Sequence, residues 1–459
     1  MQRGLQRRHR LSLVWASIFA LLGLVACGDT APRYSVFTQQ PRQGSGAAID
    51  LPSANQIHPL WAYQPVIGTP ESITSAAGVV YVSYLSNDSA LGTVGTVGTV
   101  GTVGAGRNGN PGNITPTPTE WSVLDAIDAH SGQRLWRFQA PEQPDFGAGP
   151  LVANETIYVA LTYQVCAVNA HSGVARWCSE VIDRAKDEEY IVDGELAFEN
   201  GLLFVGAYHT LIAVDAATGK RMWSVQTPMR SSHMVTGDDL VYVSAADGQI
   251  SAFDARTGQQ VWVATQVPDT PFPHTFAPVP YLDAGTLYVL SGRTLAAYQG
   301  SRGDMLWHVS LNDGVQGGEI TPPYPVFANV GGTPYLLALE LNDSTPISAL
   351  STNLVAYNLQ THQRMWSKQL PGQYGRALAL SANVAYVAST TADHPYPSPS
   401  DLHFWLTMMD LRSGQAARQL QNNDASFQVT QLIGADGLLF VLGYFLDSGH
   451  GSWVFALGR

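Results

Sequence analysis

Ionisable and aromatic side chains that could bind a metal ion or a charged partner occur just before, or at the start of, successive apolar segments. His233 and His274 could ligate a metal, but they belong to different segments and lack the close spacing of local zinc sites. We therefore expect no metal site and no catalytic residue here. These side chains are candidates for partner binding, and solvated loop residues are the alternative for each. The set is Glu195, Arg230, His233, His274, Glu319, Tyr324, Tyr374 and Arg376.

The chain contains three cysteines, Cys27, Cys166 and Cys178. Cys166 and Cys178 flank a short turn, which would place them nearly opposite each other on an antiparallel hairpin. A cross-strand disulfide would form in an oxidising compartment, and two buried free thiols are the alternative. Neither the number nor the spacing of the cysteines indicates a zinc or haem site.

The N-terminus has the pattern of an export signal, with four arginines followed by an uncharged apolar run, 11–26. The run ends in Leu24-Val25-Ala26-Cys27, which resembles the bacterial lipobox. This resemblance implies a lipoprotein signal peptide over 1–26, a lipid on Cys27 and a place on the extracytoplasmic face of a bacterial membrane, periplasmic or at the cell surface. An uncleaved anchor and an ordinary secreted chain are the alternatives. Residues 27–57, rich in Gly, Pro and Ser, are expected to form a flexible tether.

One sequence pattern recurs from about residue 58 to residue 459, and its clearest copies are 213–223 and 252–262. Apolar residues lead to Asp, a short Ala-x-Thr-Gly turn follows, and Trp stands four residues after Gly. An apolar strand centred on Tyr or Phe precedes each copy, as at Tyr158 and Phe204. Successive tryptophans are mostly about 40 to 60 residues apart, a period that suits a four-stranded propeller blade.

Eight aromatic-centred strands indicate an all-β protein, an eight-bladed β-propeller of four-stranded antiparallel blades over 58–459. We label the strands of each blade A to D; B contains the Tyr or Phe, C leads to the Asp, and D contains the Trp. The last repeat stops before its D strand, so we expect an N-terminal strand near Trp61 to close the ring. A degenerate repeat has Arg418 where Trp is expected.

This repeat resembles that of the PQQ-like propeller family, which has a tryptophan-docking motif. The resemblance implies that each tryptophan packs against the next blade. The residues at this position are Trp61, Trp136, Trp177, Trp223, Trp262, Trp307 and Trp366.

Composition and charge limit the partners of the protein. Only 13% of the 459 residues are charged and the formal net charge is −12, which disfavours helix-rich folds and nucleic-acid binding. We expect a monomer.

The long insertions fall in the B–C and D–A connections, which share one face of a propeller. The largest, about 87–120, contains repeated Gly-Thr-Val and is expected to be a disordered loop. This face is either a recognition surface or a set of loops that merely tolerate changes in sequence and length.

The architecture resembles that of BamB-type propeller lipoproteins, which assist outer-membrane protein assembly. The resemblance implies a non-catalytic, membrane-tethered scaffold that binds other envelope or secreted proteins. One alternative is a sensor of a small ligand. The other is a dehydrogenase dependent on pyrroloquinoline quinone (PQQ) and calcium, but the chain lacks that family's adjacent cysteine pair. We therefore expect no cofactor.

Overall fold

The computed structural model describes eight antiparallel sheets arranged as the blades of a propeller. It describes residues 59–65, 69–86, 121–140, 149–161, 163–182, 195–207, 209–227, 231–245, 248–264, 278–311, 319–320, 325–342, 351–372, 374–381, 383–392, 402–422, 427–445 and 452–458. Within these ranges no helix is long and apolar enough to cross a membrane.

The first four blades have their strands in the spatial order A to D, which is also their order along the chain. Blade 1 contains β2 (Thr69–Ala76), β3 (Val79–Ser86), β4 (Trp121–Asp128) and β5 (Arg134–Ala140). Blade 2 contains β6 (Leu151–Ala153), β7 (Thr156–Ala160), β8 (Gln164–Asn169) and β9 (Ala175–Glu180). Blade 3 contains β10 (Leu196–Glu199), β11 (Leu202–Ala207), β12 (Thr210–Asp215) and β13 (Arg221–Gln226). Blade 4 contains β14 (Ser231–Gly237), β15 (Leu240–Ala245), β16 (Ile250–Asp254) and β17 (Gln260–Ala264).

The last four blades repeat this order with two departures, in blades 6 and 8. Blade 5 contains β18 (Val279–Asp283), β19 (Thr286–Ser291), β20 (Thr294–Gln299) and β21 (Met305–Ser310). Blade 6 contains β22 (Glu319–Ile320), β23 (Val326–Val330), β24 (Thr333–Asn342), β25 (Ser351–Asn358) and β26 (Gln363–Gln369). Blade 7 contains β27 (Tyr374–Ser381), β28 (Val384–Ala392), β29 (Leu402–Asp410) and β30 (Ala416–Asn422). Blade 8 contains β31 (Phe427–Ala435), β32 (Leu438–Phe445), β33 (Ser452–Leu457) and β1 (Trp61–Tyr63).

Burial follows the position of a strand within its blade. The B strand β15 is buried along its whole length, whereas the D strand β9 alternates between half-buried and exposed residues. A strands of neighbouring blades contact each other, as β10 and β14 do, and so lie innermost. Both faces of a B strand pack against other blades, and this explains why the B strands are nearly continuous apolar runs in the sequence.

The ring closes through the N-terminal strand, as the truncated last repeat predicted. β1 pairs with β33, with Trp61 opposite Ala456 and Tyr63 opposite Val454. The edge of blade 8 that β33 would otherwise leave unpaired is thereby covered over these residues. The expected all-β, eight-bladed fold is confirmed.

Each repeat tryptophan packs against the blade that follows its own. Trp177 of blade 2 donates from Nε1 to the carbonyl oxygen of Ala216 in blade 3 at 3.1 Å. A Cβ atom on Gly219 would lie 2.6 Å from the Trp177 ring, and Gly219 has φ +72°. Glycine is required at this turn both for the backbone conformation and for the approach of the ring. Equivalent indole hydrogen bonds of 2.7–3.0 Å are made by Trp61, Trp136, Trp223, Trp262 and Trp366.

The seam between blades 7 and 8 explains why Arg418 replaces a tryptophan. Blade 8 has no C–D turn, because its C strand is β33 and its D strand is β1, from the other end of the chain. A tryptophan in β30 would therefore have no turn glycine on which to dock. Phe404, Phe427 and Phe455 pack elsewhere in this seam, with the rings of Phe427 and Phe455 edge-to-face at 5.2 Å.

Blade 6 differs from the predicted four-stranded sheet, since five strands are present. β22 and β23 both pair with β24, so two short strands together occupy the A position. Pro325 immediately precedes β23, and proline cannot donate a backbone hydrogen bond within a sheet. The C–D turn of this blade also has His362 in place of glycine, and its ring contacts that of Trp307, with the centroids 3.8 Å apart and the planes tilted by 33°.

Candidate functional site: the loop face

The B–C and D–A connections form one face of the propeller, which we call the loop face. The A–B and C–D turns form the opposite turn face. On the turn face β2 and β3 are joined by two residues, Ala77 and Gly78, whereas on the loop face 34 residues, 87–120, join β3 and β4. The predicted insertion 87–120 lies outside the described residues. In blade 1 the loop face thus carries a much longer connection than the turn face.

Backbone bulges occur near the loop-face ends of four inner strands. The pairing shifts register around Glu71 in β2, in β14, around Arg376 in β27 and around Thr430 in β31. Glu71, Arg376 and Thr430 are exposed. A bulge adds an unpaired residue and changes the direction of its side chain. Blades 7, 8 and 1, which are consecutive, thus each present a polar side chain at this end of the inner strands.

Two of the predicted partner-binding residues meet in this region, although 38 positions separate them in sequence. Nδ1 of His233 lies 3.0 Å from Oε1 of Glu195, and the Met234 amide donates to Oε2 of Glu195 at 3.0 Å. The His233 side chain is 6% exposed and that of Glu195 13% exposed. This pair joins the A strand of blade 4 to the start of the A strand of blade 3.

A second predicted pair lies on blade 7. Cζ of Arg376 lies 5.5 Å from the centre of the Tyr374 ring, within range for a cation–π contact. Nε of Arg376 donates to Oγ1 of Thr390 at 3.1 Å. Arg376 is exposed, and its guanidinium contacts both Tyr374 and Thr390.

The other predicted residues of this face are only partly covered by the structure. Glu319 lies on β22, for which the backbone alone is described. Arg230, His274 and Tyr324 lie outside the described residues. Among the side chains that are described, no group of three or more His, Cys, Asp and Glu could hold a metal ion.

A buried polar cluster at the closing seam was missed by the sequence analysis. Asp125 is fully buried and accepts two hydrogen bonds of 2.7 Å from Arg137. Tyr84 donates to the same carboxylate at 2.8 Å, and Tyr63 of β1 donates to it as well. Burial, followed by the negative charge of Asp125, raises the pKa of both tyrosines, so their hydroxyls remain protonated donors. This cluster, Tyr63–Tyr84–Asp125–Arg137, fastens the closing strand to blade 1.

One signal could have revealed the cluster. Asp125 stands at an inward position of a C strand whose neighbours Val123 and Ile127 are apolar and buried. A buried carboxylate requires a nearby cation or several hydrogen-bond donors.

The innermost strands of blades 8 and 1 are also joined by hydrogen bonds. The Ile73 amide donates to Oε1 of Gln431 at 2.9 Å, and Nε2 of Gln431 donates to the carbonyl oxygen of Ile73 at 3.0 Å.

The predicted cysteine pair is bonded in the structure. Cys166 of β8 lies opposite Cys178 of β9, and their sulfur atoms form a disulfide. Cys27 lies outside the described residues.

Comparison with known proteins shows relatives of two kinds. A quinohemoprotein alcohol dehydrogenase of Comamonas testosteroni is 30% identical over 175 residues, which are 33% of this chain and 25% of that protein. The outer membrane protein assembly factor BamB of Burkholderia pseudomallei is 30% identical over 152 residues, 32% of this chain and 36% of that protein. The chain thus matches only about a quarter to a third of these relatives' lengths.

The fold itself has solved counterparts. The crystal structure of the Comamonas testosteroni quinohemoprotein alcohol dehydrogenase superposes with a TM-score of 0.55 and 14% identity, covering 88% of this chain and 77% of that one. At this identity the likeness concerns the fold alone. The family model described as "Outer membrane protein assembly factor BamB" matches residues 120–186 and 179–419. The chain therefore belongs to this family of propeller proteins.

Proposed function

We propose that this protein is a non-catalytic, membrane-tethered propeller that binds other envelope or secreted proteins through its loop face, in the assembly of envelope proteins. The observation that carries the proposal is the set of bulges in blades 7, 8 and 1. They present Arg376, Thr430 and Glu71 at the loop-face end of the inner strands. Membership of the assembly-factor family supports the same role.

The place of the protein in the cell follows from the same proposal. A chain lipidated at Cys27, tethered by residues 27–57, would hold the propeller on the extracytoplasmic side of a membrane. The disulfide between Cys166 and Cys178 supports export, because such bonds persist in oxidising compartments. The monomeric state remains part of the proposal.

Quinone-dependent oxidation is the second candidate function, and the relatives with dehydrogenase names favour it. Such a function would require residues that hold PQQ and calcium. At the described end of the inner strands both Glu195 oxygens are already engaged, by His233 and by the Met234 amide. The residues described in this region do not fit a calcium–quinone site, and we derive no catalytic step through one.

Charge reversal on the two faces tests the scaffold proposal. Arg376→Glu changes an exposed charge on the loop face, and Arg256→Glu changes a side chain that is 75% exposed on the turn face. Each variant is used to capture proteins from solubilised bacterial envelopes. We expect reduced capture with Arg376→Glu and unchanged capture with Arg256→Glu, because charges at the edge of an interface steer association. Equal capture by the two variants would contradict the assignment of the loop face.

A separate measurement tests the second candidate. The purified protein is titrated with PQQ and calcium and assayed for alcohol and sugar oxidation. We expect neither saturable quinone binding nor turnover. Saturable binding with turnover would replace the scaffold proposal by an enzymatic one.

A further inference from the structure

The disulfide of blade 2 is accessible from one side only. Cys178 is exposed on β9, the outermost strand of the blade. Cys166 is fully buried, in the apolar cluster between blades 1 and 2 that includes Leu124, Ile157 and Val159. A reagent in solution can therefore reach the bond at Cys178 and not at Cys166.

The equivalent positions in other blades show that a blade forms without this bond. In the pairing of β8 with β9, Cys166 lies opposite Cys178. This pair is adjacent to Ala167–Trp177, which contains the docking tryptophan. In blade 1 the same register position holds the ion pair of Asp125 and Arg137. In blades 3 to 7 it holds pairs without a covalent link, namely Ile212–Ser224, Ser251–Val263, Ala296–His308, Val355–Ser367 and Thr407–Gln419. The fold of blade 2 should therefore survive reduction.

We propose that the Cys166–Cys178 disulfide is a site of thiol–disulfide exchange, at which a partner protein that carries two thiols reacts through Cys178. An exposed disulfide is more easily reduced than an enclosed one, and one that the fold does not require can be opened reversibly. The proposal is independent of the scaffold function.

The partner can attack only one of the two sulfur atoms, Sγ of Cys178. A thiolate of the partner attacks Sγ of Cys178, the bond to Cys166 breaks, and the Cys166 thiolate that leaves takes up a proton. The second thiol of the partner then attacks the mixed disulfide and releases Cys178 as a thiol. The net result is a reduced Cys166–Cys178 pair and an oxidised partner. In the reverse direction Cys178 is the thiol that reacts first.

Opening the bond changes the neighbouring seam. β9 carries Trp177, whose indole docks on blade 3 and donates to Ala216. The disulfide fixes β9 to β8 one residue away from Trp177. Reduction removes the covalent link and leaves β9 held by its hydrogen bonds to β8 and by the docking of Trp177, so the Trp177 contact should open more often. The redox state of blade 2 would thus set how firmly blades 2 and 3 are joined.

The folded wild-type protein is incubated in glutathione buffers of increasing reducing strength. Free thiols are then alkylated and located by peptide mass spectrometry, so that Cys166 and Cys178 are distinguished from Cys27. We expect reduction of the disulfide while the circular dichroism spectrum stays native. Hydrogen exchange should increase in β9 and stay unchanged in β13, the D strand of the next blade. Reduction that occurs only as the whole protein unfolds would overturn the proposal.

Two single variants test the asymmetry of the site. Cys166→Ser leaves the Cys178 thiol alone, and Cys178→Ser leaves the Cys166 thiol alone. Glutathione disulfide should modify Cys178 at least about a hundredfold faster than Cys166 in the folded proteins, because buried thiols in apolar surroundings are inert. Comparable rates would show that both sulfur atoms are accessible, and the assignment of Cys178 as the point of attack would be wrong.

Discussion

Replacing Asp125 by alanine should strongly destabilise the protein, because this carboxylate is the acceptor for the whole closing cluster. The Asp125 side chain is fully buried and its partner Arg137 is 18% exposed. Asp125→Ala leaves the guanidinium without its counter-ion and removes the acceptor of the Tyr63 and Tyr84 hydroxyls. Removing one partner of a buried ion pair costs about 3–5 kcal/mol. We expect a loss in this range.

A matched ion pair on the surface provides the control. Arg302 and Asp304 lie 3.1 Å apart, with side chains 71% and 58% exposed. Asp304→Ala should cost about 0–1 kcal/mol, the usual contribution of an exposed pair. The free energy of unfolding of both variants is measured by urea titration followed by circular dichroism. A loss for Asp125→Ala no greater than that for Asp304→Ala would refute the stabilising role of the cluster.

Three further changes test the blade seams, the closure and the turns. Trp223→Ala should cost about 3–5 kcal/mol in urea unfolding, the range for emptying a large aromatic site; a loss below about 1 kcal/mol would contradict docking. Deleting residues 59–65 removes β1 and exposes the edge of blade 8, so aggregation or a clearly lower melting temperature is expected, and melting like the intact protein would contradict closure. Hydrogen bonds from Thr218 lower the pKa of Asp215. Because the pKa of Asp215 is lower in the folded protein, its ionised form stabilises the fold. This stabilisation is fully present above the ordinary Asp pKa of about 4 and is lost as pH falls through the lowered pKa. Asp215→Asn should therefore flatten the fall of stability below pH 4, and an unchanged pH profile would contradict the assignment.

The parts of the fold that repeat could be predicted from the sequence. Each turn Asp, its glycine and the following tryptophan lie within eleven residues, so their spacing alone indicates the turn and the D strand. Cys166 and Cys178 are predictable for the same reason, because a single turn joins their strands. The closing strand was predictable because the last repeat lacks a strand that only the region near Trp61 could supply.

Side-chain contacts between neighbouring blades could not be predicted. Tyr63 and Asp125 are 62 positions apart, and Glu195 and His233 are 38 positions apart. Nothing in the local pattern specifies such pairs, since they arise from the stacking of blades. The bulge at Arg376 was also hidden, because a single extra residue in an inner strand leaves the alternation of apolar residues nearly intact. In blade 6 the long β24 pairs with two short strands, and sequence periodicity does not show this division.

The pairing of β1 with β33 also sets the order in which the molecule can mature. Among the strands that the structure describes, β1 is the first along the chain and β33 the last. During synthesis, and during any passage of the chain from its N-terminus, the partner of β1 is absent until β33 has emerged. Contacts between such distant segments form slowly, because a long loop must close before they are gained. Blade 8 can therefore be completed only after β33 has been made, and a chain that stops before β33 leaves the edge of β32 unpaired.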